Sequence, residues 1–419
     1  MKIIIPFGKS YLHADVPNLL TTLRPKCVVP LENPVKTLRE KLKNPIGTPP
    51  LKDLAKEKKD AVIVINDITR PTHSEMLVTE IVRELNEVGI DDKKIKLLVA
   101  TGNHRANTKI ELESMLGIDI VNRIKIYNHN DLDKKSLTYI GTTKRKIPVY
   151  INKIFVQSSL KILTGLIAPH HSEGFSGGRK SILPGISGIE TIHPHHSFPI
   201  RPSEPSMGWI NGNPMHEESL EAARMAKVDF IVNVLNNEDN KIADIYAGDL
   251  DKAHKEGIKL CNKVRRVKAP ERADIVITSP GGYPRDFDLH QSQKAMSSAE
   301  MCCKEGGVII LVTEAIDGIG KFGNWLKNAK TPREVIERFK KEGFTPEASI
   351  KAFFYARALV KYKVIVVTKG VSQEELRNMF LIPALDIQEA IKKAINFMGK
   401  DAKFIFIPHG SDIIPEINS

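Results

Sequence analysis

Residues 160–181 read LKILTGLIAPHHSEGFSGGRKS. The first part, Leu160–Ile167, is an apolar run with the length and composition of a buried strand. A loop rich in histidine and glycine follows it directly and ends in a lysine. In doubly wound α/β folds, ligands bind just beyond the carboxyl ends of the strands. The stretch therefore predicts a strand of a parallel sheet whose following loop forms a cofactor and metal site.

Two similar units precede this stretch. The predicted strands Asp60–Ile65 and Ile95–Ala100 end in the polar loops 66–71 and 101–105, and each loop leads into an amphipathic helix. Strands that alternate with helices indicate a parallel sheet, in which the carboxyl ends of the strands share one edge. We expect these two loops to converge with the loop 168–181.

The alternation of strands and helices starts again at Ala273, after the charged segment Lys268–Arg272, which contains a helix-breaking proline. We predict an α/β fold of two three-layer domains with mostly parallel sheets and an active-site cleft between them. The first domain, residues 1–267, binds the cofactor, and the second, residues 268–419, is smaller.

The composition indicates a globular cytoplasmic protein. The 419 residues are 41% hydrophobic and 27% charged, and no apolar run is long enough for a signal peptide or a membrane span. The four cysteines form no Cys-x-x-Cys pair. The formal charge of +12 is spread along the chain, so we expect neither nucleic acid nor a membrane as partner. A basic field suits an anionic small substrate or a nucleotide-like cofactor.

The segment Gly174–Ser181 nearly matches the phosphate-binding pattern Gly-x-x-x-x-Gly-Lys-Ser, but Arg179 replaces the last glycine. A bulky residue there would disturb the ring of backbone amides that wraps a phosphate. Lys180 could still bind an anion, could be a covalent attachment point once desolvated, or could be a solvated lysine on a surface turn.

Histidines are concentrated in and after this loop. Five of the 13 histidines lie within 27 residues, which favours a metal or a proton-transfer site; they are His170, His171, His193, His195 and His196. Neutral imidazole suits nickel, zinc or copper. The sequence leaves open which of them bind a metal.

The other two loops carry groups suited to a carboxylate substrate. Asp67 and Arg70 follow one strand, and His104 follows the next. An arginine binds a carboxylate, and a histidine accepts a proton. In the second half, Gln291 and Lys294 lie on one helix face, where they form either a solvated surface or a second part of the site.

Together these motifs resemble the nickel-pincer lactate racemase family over nearly the whole chain. The motifs that carry the resemblance are Asp67–Pro71, Gly102–Arg105, Pro169–Lys180, His195–His196 and Gln291 with Lys294. The resemblance implies a racemase or epimerase that inverts C2 of a 2-hydroxy carboxylic acid. Hydride would pass to a lysine-tethered nickel-pincer nucleotide, made by cofactor-synthesis proteins that act on the chain transiently.

The resemblance also implies roles for the cofactor-binding residues. Lys180 would carry the pyridinium-3-thioamide-5-thiocarboxylic acid mononucleotide through a thioamide. His196 would bind the nickel, and its neighbour His195 is the second choice. The nucleotide phosphate would lie against the glycine-rich turn formed by Ser176, Gly177, Gly178 and Arg179.

For the substrate, the resemblance makes His104 and His170 an acid/base pair on opposite faces. An unperturbed pKa of ~6.5 lets each ring act in either protonation state near neutrality. Arg70 and Lys294 would stabilise the oxygen charge and the carboxylate, with Gln291 helping to orient it. Asp67 would position Arg70 or a histidine.

Two other functions remain open at this stage: a nucleotide-dependent transferase with a degenerate phosphate loop, and a cofactor-free binding homologue. The substrate is also open, because His290 stands where lactate racemase has a tyrosine. We therefore expect lactate or a related hydroxy acid.

Overall fold

The computed structural model describes residues 1–198, 200, 202–345, 347 and 349–418. Its strands are β1 Lys2–Phe7, β2 Ser10–Asp15, β3 Leu19–Thr22, β4 Ala61–Asn66, β5 Ile95–Ala100, β6 Lys125–Asn128, β7 Leu137–Thr142, β8 Pro148–Asn152, β9 Leu160–Leu166, β10 Pro169–His170, β11 Gly174–Phe175, β12 Phe230–Asn236, β13 Ile242–Gly248, β14 Arg266–Ala269, β15 Ala273–Thr278, β16 Cys303–Val312, β17 Lys363–Val367, β18 Ile382–Ala384, β19 Phe404–Ile407 and β20 Ile414–Ile417.

The α-helices are α1 Pro34–Lys43, α2 Leu51–Ala55, α3 Ser74–Asn86, α4 Lys109–Arg123, α5 Lys153–Gln157, α6 Ile189–His196, α7 Pro214–Met225, α8 Lys252–Arg265, α9 Leu289–Cys302, α10 Gly323–Lys327, α11 Pro332–Glu342, α12 Ser349–Lys361, α13 Gln373–Asn378 and α14 Ile387–Met398. A 3₁₀ turn, Gly178–Ser181, follows β11.

The chain forms two compact units. The central unit comprises residues 27–195 and 209–262, and the terminal unit comprises residues 1–26, 196–208 and 263–419. The sequence-based division at residues 267 and 268 kept the first residues of the chain with the first domain. The structure groups them with the C-terminal half, because β3 pairs in parallel with β19. Such a long-range pairing leaves no local signal in the sequence.

The central unit is built on a six-stranded sheet in the order β13-β12-β9-β4-β5-β6. Every neighbouring pair is parallel except β12 and β13. The side chains of Val62, Ile63, Val64 and Ile65 in β4 are fully buried, so both faces of this strand are covered. An uninterrupted β-branched run is what such a strand requires.

The terminal unit contains a second six-stranded sheet, in the order β18-β17-β16-β15-β19-β3, with all its pairs parallel. Successive residues of β15 enter different apolar cores. Val276 packs with residues of α9 and α12, whereas Ile275 and Ile277 pack with residues of α14. This alternation is the period of two expected for a sheet covered on both faces.

The prediction of an α/β fold with mostly parallel sheets is confirmed. Within the described part of the chain, no helix has both the length and the apolar character needed to cross a bilayer.

Candidate active site

The three polar loops lie at neighbouring strand ends of the central sheet. They follow β9, β4 and β5, which are adjacent in the sheet and parallel. The backbone N–H of Gly102 donates to the carbonyl oxygen of Gly185 at 2.9 Å, which ties the loop after β5 to the chain beyond the 3₁₀ turn. The predicted convergence of the loops is confirmed.

Asp67 and His104 form the closest polar contact across these loops. Oδ2 of Asp67 lies 2.6 Å from Nδ1 of His104, and Oδ1 accepts the backbone N–H of Thr69 at 3.2 Å. Burial acts to raise the pKa of Asp67, but the bond to His104, the Thr69 hydroxyl and the charge of Arg70 bring it below the usual value. The ionised carboxylate can only accept a hydrogen bond, so Nδ1 of His104 carries a proton, and in the neutral ring Nε2 presents a lone pair.

Arg70 acts electrostatically on both the carboxylate of Asp67 and the amine of Lys180. Its positive charge lowers the pKa of Asp67 and also lowers the pKa of Lys180. The structure therefore brings Asp67, Arg70, His104 and Lys180 to one edge of the central sheet. This cluster combines an anion-binding group, a proton acceptor and an amine.

His170 has the opposite hydrogen-bonding pattern to His104. The backbone N–H groups of Ser172 and Glu173 donate to its Nδ1 at 3.3 and 3.1 Å. Because Nδ1 accepts, the neutral ring carries its proton on Nε2. The ring also stacks on that of His171, with 4.3 Å between the centroids. Thus Nε2 of His104 can accept a proton, whereas Nε2 of the neutral His170 can donate a hydrogen bond.

Lys180 is held beside a buried carboxylate that the sequence analysis did not single out. Nζ of Lys180 donates to Oε1 of Glu173, whose side chain is 0% exposed. Burial lowers the pKa of Lys180 to about 8, although Glu173 acts in the opposite direction. An amine with a lowered pKa is a better nucleophile near neutrality, as a covalent attachment point requires.

The glycine-rich turn uses its polar groups to hold itself together. The backbone N–H groups of Ser176 and Gly178 donate to the carbonyl oxygen of Ala168 and to Oδ1 of Asn233, at 2.9 and 2.7 Å. The side chain of Arg179 is 1% exposed, and its Nη2 donates to the carbonyl oxygens of Glu173 and Phe175. These groups shape the loop from inside the protein, which disfavours a phosphate nest of the type found in nucleotide-binding loops.

Replacing Gly174 with alanine is expected to lower the free energy of unfolding by about 2 kcal/mol or more. Gly174 has a φ of +74°, and a Cβ there would lie 2.1 Å from the backbone oxygen of Trp209. Urea denaturation would measure the loss. Gly89→Ala is the matched control, since its φ is +88° and nothing lies within 4 Å of the added atom. An equal loss in both variants would contradict the predicted clash.

The two candidate metal-binding histidines fall in different units. His195 belongs to the central unit, is 0% exposed and has Nε2 3.2 Å from the carbonyl oxygen of Met215. His196 belongs to the terminal unit and is half-buried, with its ring 5.5 Å from that of Phe344. The structure describes no group of three or more His, Cys, Asp or Glu side chains suited to a metal.

In the terminal unit, Gln291 and Lys294 are close together near the start of α9. Nζ of Lys294 donates to Oε1 of Gln291 at 2.6 Å, and the backbone N–H of Gln291 donates to Asp288, which caps the helix. The predicted placement on one helix face is therefore confirmed, and the amide of Gln291 is oriented by the amine of Lys294.

Besides Glu173, one further acidic residue near the loops was missed by the sequence analysis. Asp131 is 8% exposed, and burial raises its pKa while the nearby His104 lowers it. A single aspartate between two short elements carries no sequence pattern. Only the fold brings it near the histidine.

Comparison with known proteins defines the class first. The family models for the lactate racemase N-terminal domain and the lactate racemase C-terminal domain match residues 7–208 and 268–415. The chain is thus a two-part α/β protein of the isomerase class that these models describe.

Individual lactate racemases match this chain over most of its length. The chain is 37% identical over 419 residues to the lactate racemase of Thermoanaerobacterium thermosaccharolyticum, with 98% of each covered, and 38% identical over 387 residues to that of Lactiplantibacillus plantarum, with 90% of each covered. The solved structure of the T. thermosaccharolyticum lactate racemase apoprotein has a TM-score of 0.92 at 36% identity and matches 99% of this chain and 100% of its own. The chain belongs to the lactate racemase family.

Proposed function

We propose that this protein racemises or epimerises a 2-hydroxy carboxylic acid at C2, with lactate as the first substrate to test. The observation that carries the proposal is the cluster of Asp67, Arg70, His104 and Lys180 at adjacent strand ends, in a chain 37% identical to a lactate racemase. Inversion at C2 needs a proton acceptor for the hydroxyl, a group that binds the carboxylate and an acceptor for the C2 hydrogen.

The two histidines supply the proton transfers. Nε2 of His104 can take the hydroxyl proton, because Asp67 holds the proton of the other nitrogen and stabilises the imidazolium that forms. His170 would return a proton from Nε2 in its imidazolium form, whereas in the neutral ring Nδ1 accepts the backbone N–H groups and Nε2 can only donate a hydrogen bond. For the opposite enantiomer the two rings exchange these roles. Two groups of the same chemical type are suited to a reaction that runs equally in both directions.

Arg70 and Lys294 are proposed to bind the carboxylate and the developing oxygen charge. The guanidinium of Arg70 acts electrostatically on Asp67, the partner of His104, so we propose that a carboxylate bound by Arg70 would bring the C2 hydroxyl toward His104. Gln291 would help to orient the carboxylate, and its bond to Lys294 keeps the amide and the amine together.

The residues present fit the family's nickel-pincer nucleotide at the attachment point. Lys180 offers a nearly buried amine, 13% exposed, whose pKa is lowered to about 8 by burial. We propose Lys180 as the tether and His196 as the protein ligand of nickel, since Nε2 of His195 contacts the carbonyl oxygen of Met215. When bound, the group would supply an electrophilic carbon that reversibly accepts the C2 hydrogen with its electron pair. Ser176, Gly177, Gly178 and Arg179 would support the loop that carries the tether.

The test is racemisation by protein that has been co-produced with the cofactor-synthesis proteins and nickel. We expect the enzyme to bring D-lactate or L-lactate, or a related 2-hydroxy acid, to an equal mixture, as measured by chiral chromatography. A mass increase on the peptide containing Lys180 should accompany the activity. Inactivity on lactate, malate, phenyllactate and aldonic acids, with the mass increase present, would contradict the proposed reaction.

A further inference from the structure

Glu173 is a buried carboxylate whose contacts converge on the reactive lysine. Its side chain is 0% exposed and accepts Nζ of Lys180 at Oε1. At Oε2 it accepts the Ser219 hydroxyl at 3.0 Å and lies 3.6 Å from Nη2 of Arg179. These partners hold the carboxylate in one orientation, with one oxygen directed at the amine.

Two cationic side chains, Lys180 and Arg179, share this carboxylate. Arg70 also acts on Lys180, His195 acts on Glu173, and Asp251 acts on Arg179. Burial lowers the pKa of Lys180 to about 8 and that of Arg179 to about 10, while Lys180, His195 and Arg179 together keep the pKa of Glu173 below its usual value despite burial. Burial therefore disfavours the charged form of the Lys180 amine. Acylation of Lys180 would remove one cation and leave Glu173 paired with Arg179.

We propose that Glu173 is the catalytic base that activates the Lys180 amine for covalent attachment of the cofactor. This inference rests on the proposed function, because it assumes that Lys180 is the tether. It means that a residue of this chain takes part in the covalent attachment of the cofactor. Glu173 qualifies by position, since one of its carboxylate oxygens contacts the nitrogen that reacts.

The attachment step balances as a condensation between an amine and a thiocarboxylic acid. Glu173 takes a proton from the ammonium group of Lys180, and the neutral nitrogen attacks the carbon of the thiocarboxylic group. A C–N bond forms, the C–O bond breaks, and the hydroxyl of the thiocarboxylic acid leaves as water with the proton held by Glu173. The nitrogen then releases its second proton to the regenerated carboxylate and keeps one hydrogen in the thioamide. The product is a thioamide, and no oxidant or reductant is consumed. Proton transfer by a positioned carboxyl group accelerates such steps by about 10²–10⁴-fold.

The alternative is that Glu173 is only a counterion for Lys180. The two roles predict opposite effects of Glu173→Gln on the lysine. Loss of a counterion would leave more of the amine neutral near pH 7 and would make Lys180 react faster. Loss of a base would make the attachment of the cofactor slower, even though more of the amine is neutral.

The experiment follows two reactions of Lys180 by mass spectrometry. In the first, the full chain is supplied with cofactor by the synthesis proteins, and the modified Lys180 peptide is measured over time. We expect Glu173→Gln to slow this attachment by about 10²-fold. In the second, the apoprotein is treated with acetic anhydride at pH 7. Lys180 of Glu173→Gln should then be acetylated at least as fast as in the wild type, with the exposed Lys109 as internal standard.

Glu218→Gln is the matched control variant. Glu218 is equally buried on α7 but pairs with Arg145 at 3.4 Å, so its replacement should leave the attachment rate unchanged. If Glu173→Gln does not fold, as judged by its thermal transition, the attachment rate is measured on Glu173→Asp instead. This variant keeps the negative charge but moves the carboxylate oxygen away from Nζ of Lys180. An attachment rate in the folded Glu173 variant equal to or above that of the wild type would overturn the inference. Absence of any adduct in the wild type would instead overturn the proposed function.

Discussion

Replacing Lys180 with alanine is expected to abolish both the covalent adduct and the racemisation of lactate. The reason is chemical: the side chain would no longer contain a nitrogen that can form the thioamide, and Arg70, Asp67 and His104 would remain in place without the group that accepts the C2 hydrogen. The fold should survive, because the buried Glu173 keeps its contacts with Arg179 and Ser219. Intact-mass measurement and a racemisation assay on the same preparation check both results.

Lys144→Ala is the control for this variant, since it removes an exposed lysine of the same unit. It should carry the adduct and retain wild-type activity. Full racemisation by Lys180→Ala would contradict the requirement for a tether. An adduct of the same mass on another residue of Lys180→Ala would contradict the choice of this lysine.

Replacing either His104 or His170 with glutamine is expected to lower the rate of racemisation by about 10²–10⁴-fold, the usual contribution of general acid–base catalysis. Each ring provides a proton transfer that glutamine cannot provide, and racemisation in either direction uses both. Lys180 should still be modified in both variants, because neither histidine supplies the nitrogen that forms the thioamide. Chiral chromatography, with the occupancy of Lys180 determined by mass, would measure the loss per loaded enzyme.

The exposed His13 of β2 offers a matched histidine, and His13→Gln should leave the rate unchanged. A loss of less than tenfold in both site variants would argue against an acid/base pair. A large loss in only one variant would assign both proton transfers to that ring.

Much of the central unit followed from local sequence patterns. The strand predicted over Asp60–Ile65 corresponds to β4, and the shared edge of parallel strands predicted that the loops carrying Asp67 and His104 would converge. These inferences succeed because the period of a strand and the direction of a parallel sheet are encoded within a few residues.

The partners of Lys180 could not be predicted in the same way. Glu173 precedes it by seven residues in an irregular loop, where no helical or strand period relates the two side chains. Their contact depends on the short antiparallel pairing of β10 with β11, which turns the chain back on itself between His170 and Gly174. A glutamate in a polar loop is normally solvated, so its complete burial was also unexpected.

Two longer-range features were missed for a related reason. The strand β13 is an antiparallel edge strand, whose place is set by its pairing with β12 rather than by its own composition. The strand β3 adds to the sheet of the terminal unit through β19, almost the full length of the chain away. Contacts between residues so distant in sequence are decided by the packing of the whole unit.

Because the neutral rings of His104 and His170 carry their protons on different nitrogens, the resting enzyme is not equally prepared for the two enantiomers of the substrate. One enantiomer meets a proton acceptor that is ready at Nε2 of His104, whereas the other requires the proton on Nε2 of His170 to leave first. Thermodynamics still demands that kcat/KM be identical for the two, because enantiomers have an equilibrium constant of unity. If the two rings favour one enantiomer, kcat and KM must therefore differ between the enantiomers by the same factor. The enantiomer with the lower KM then also has the lower kcat.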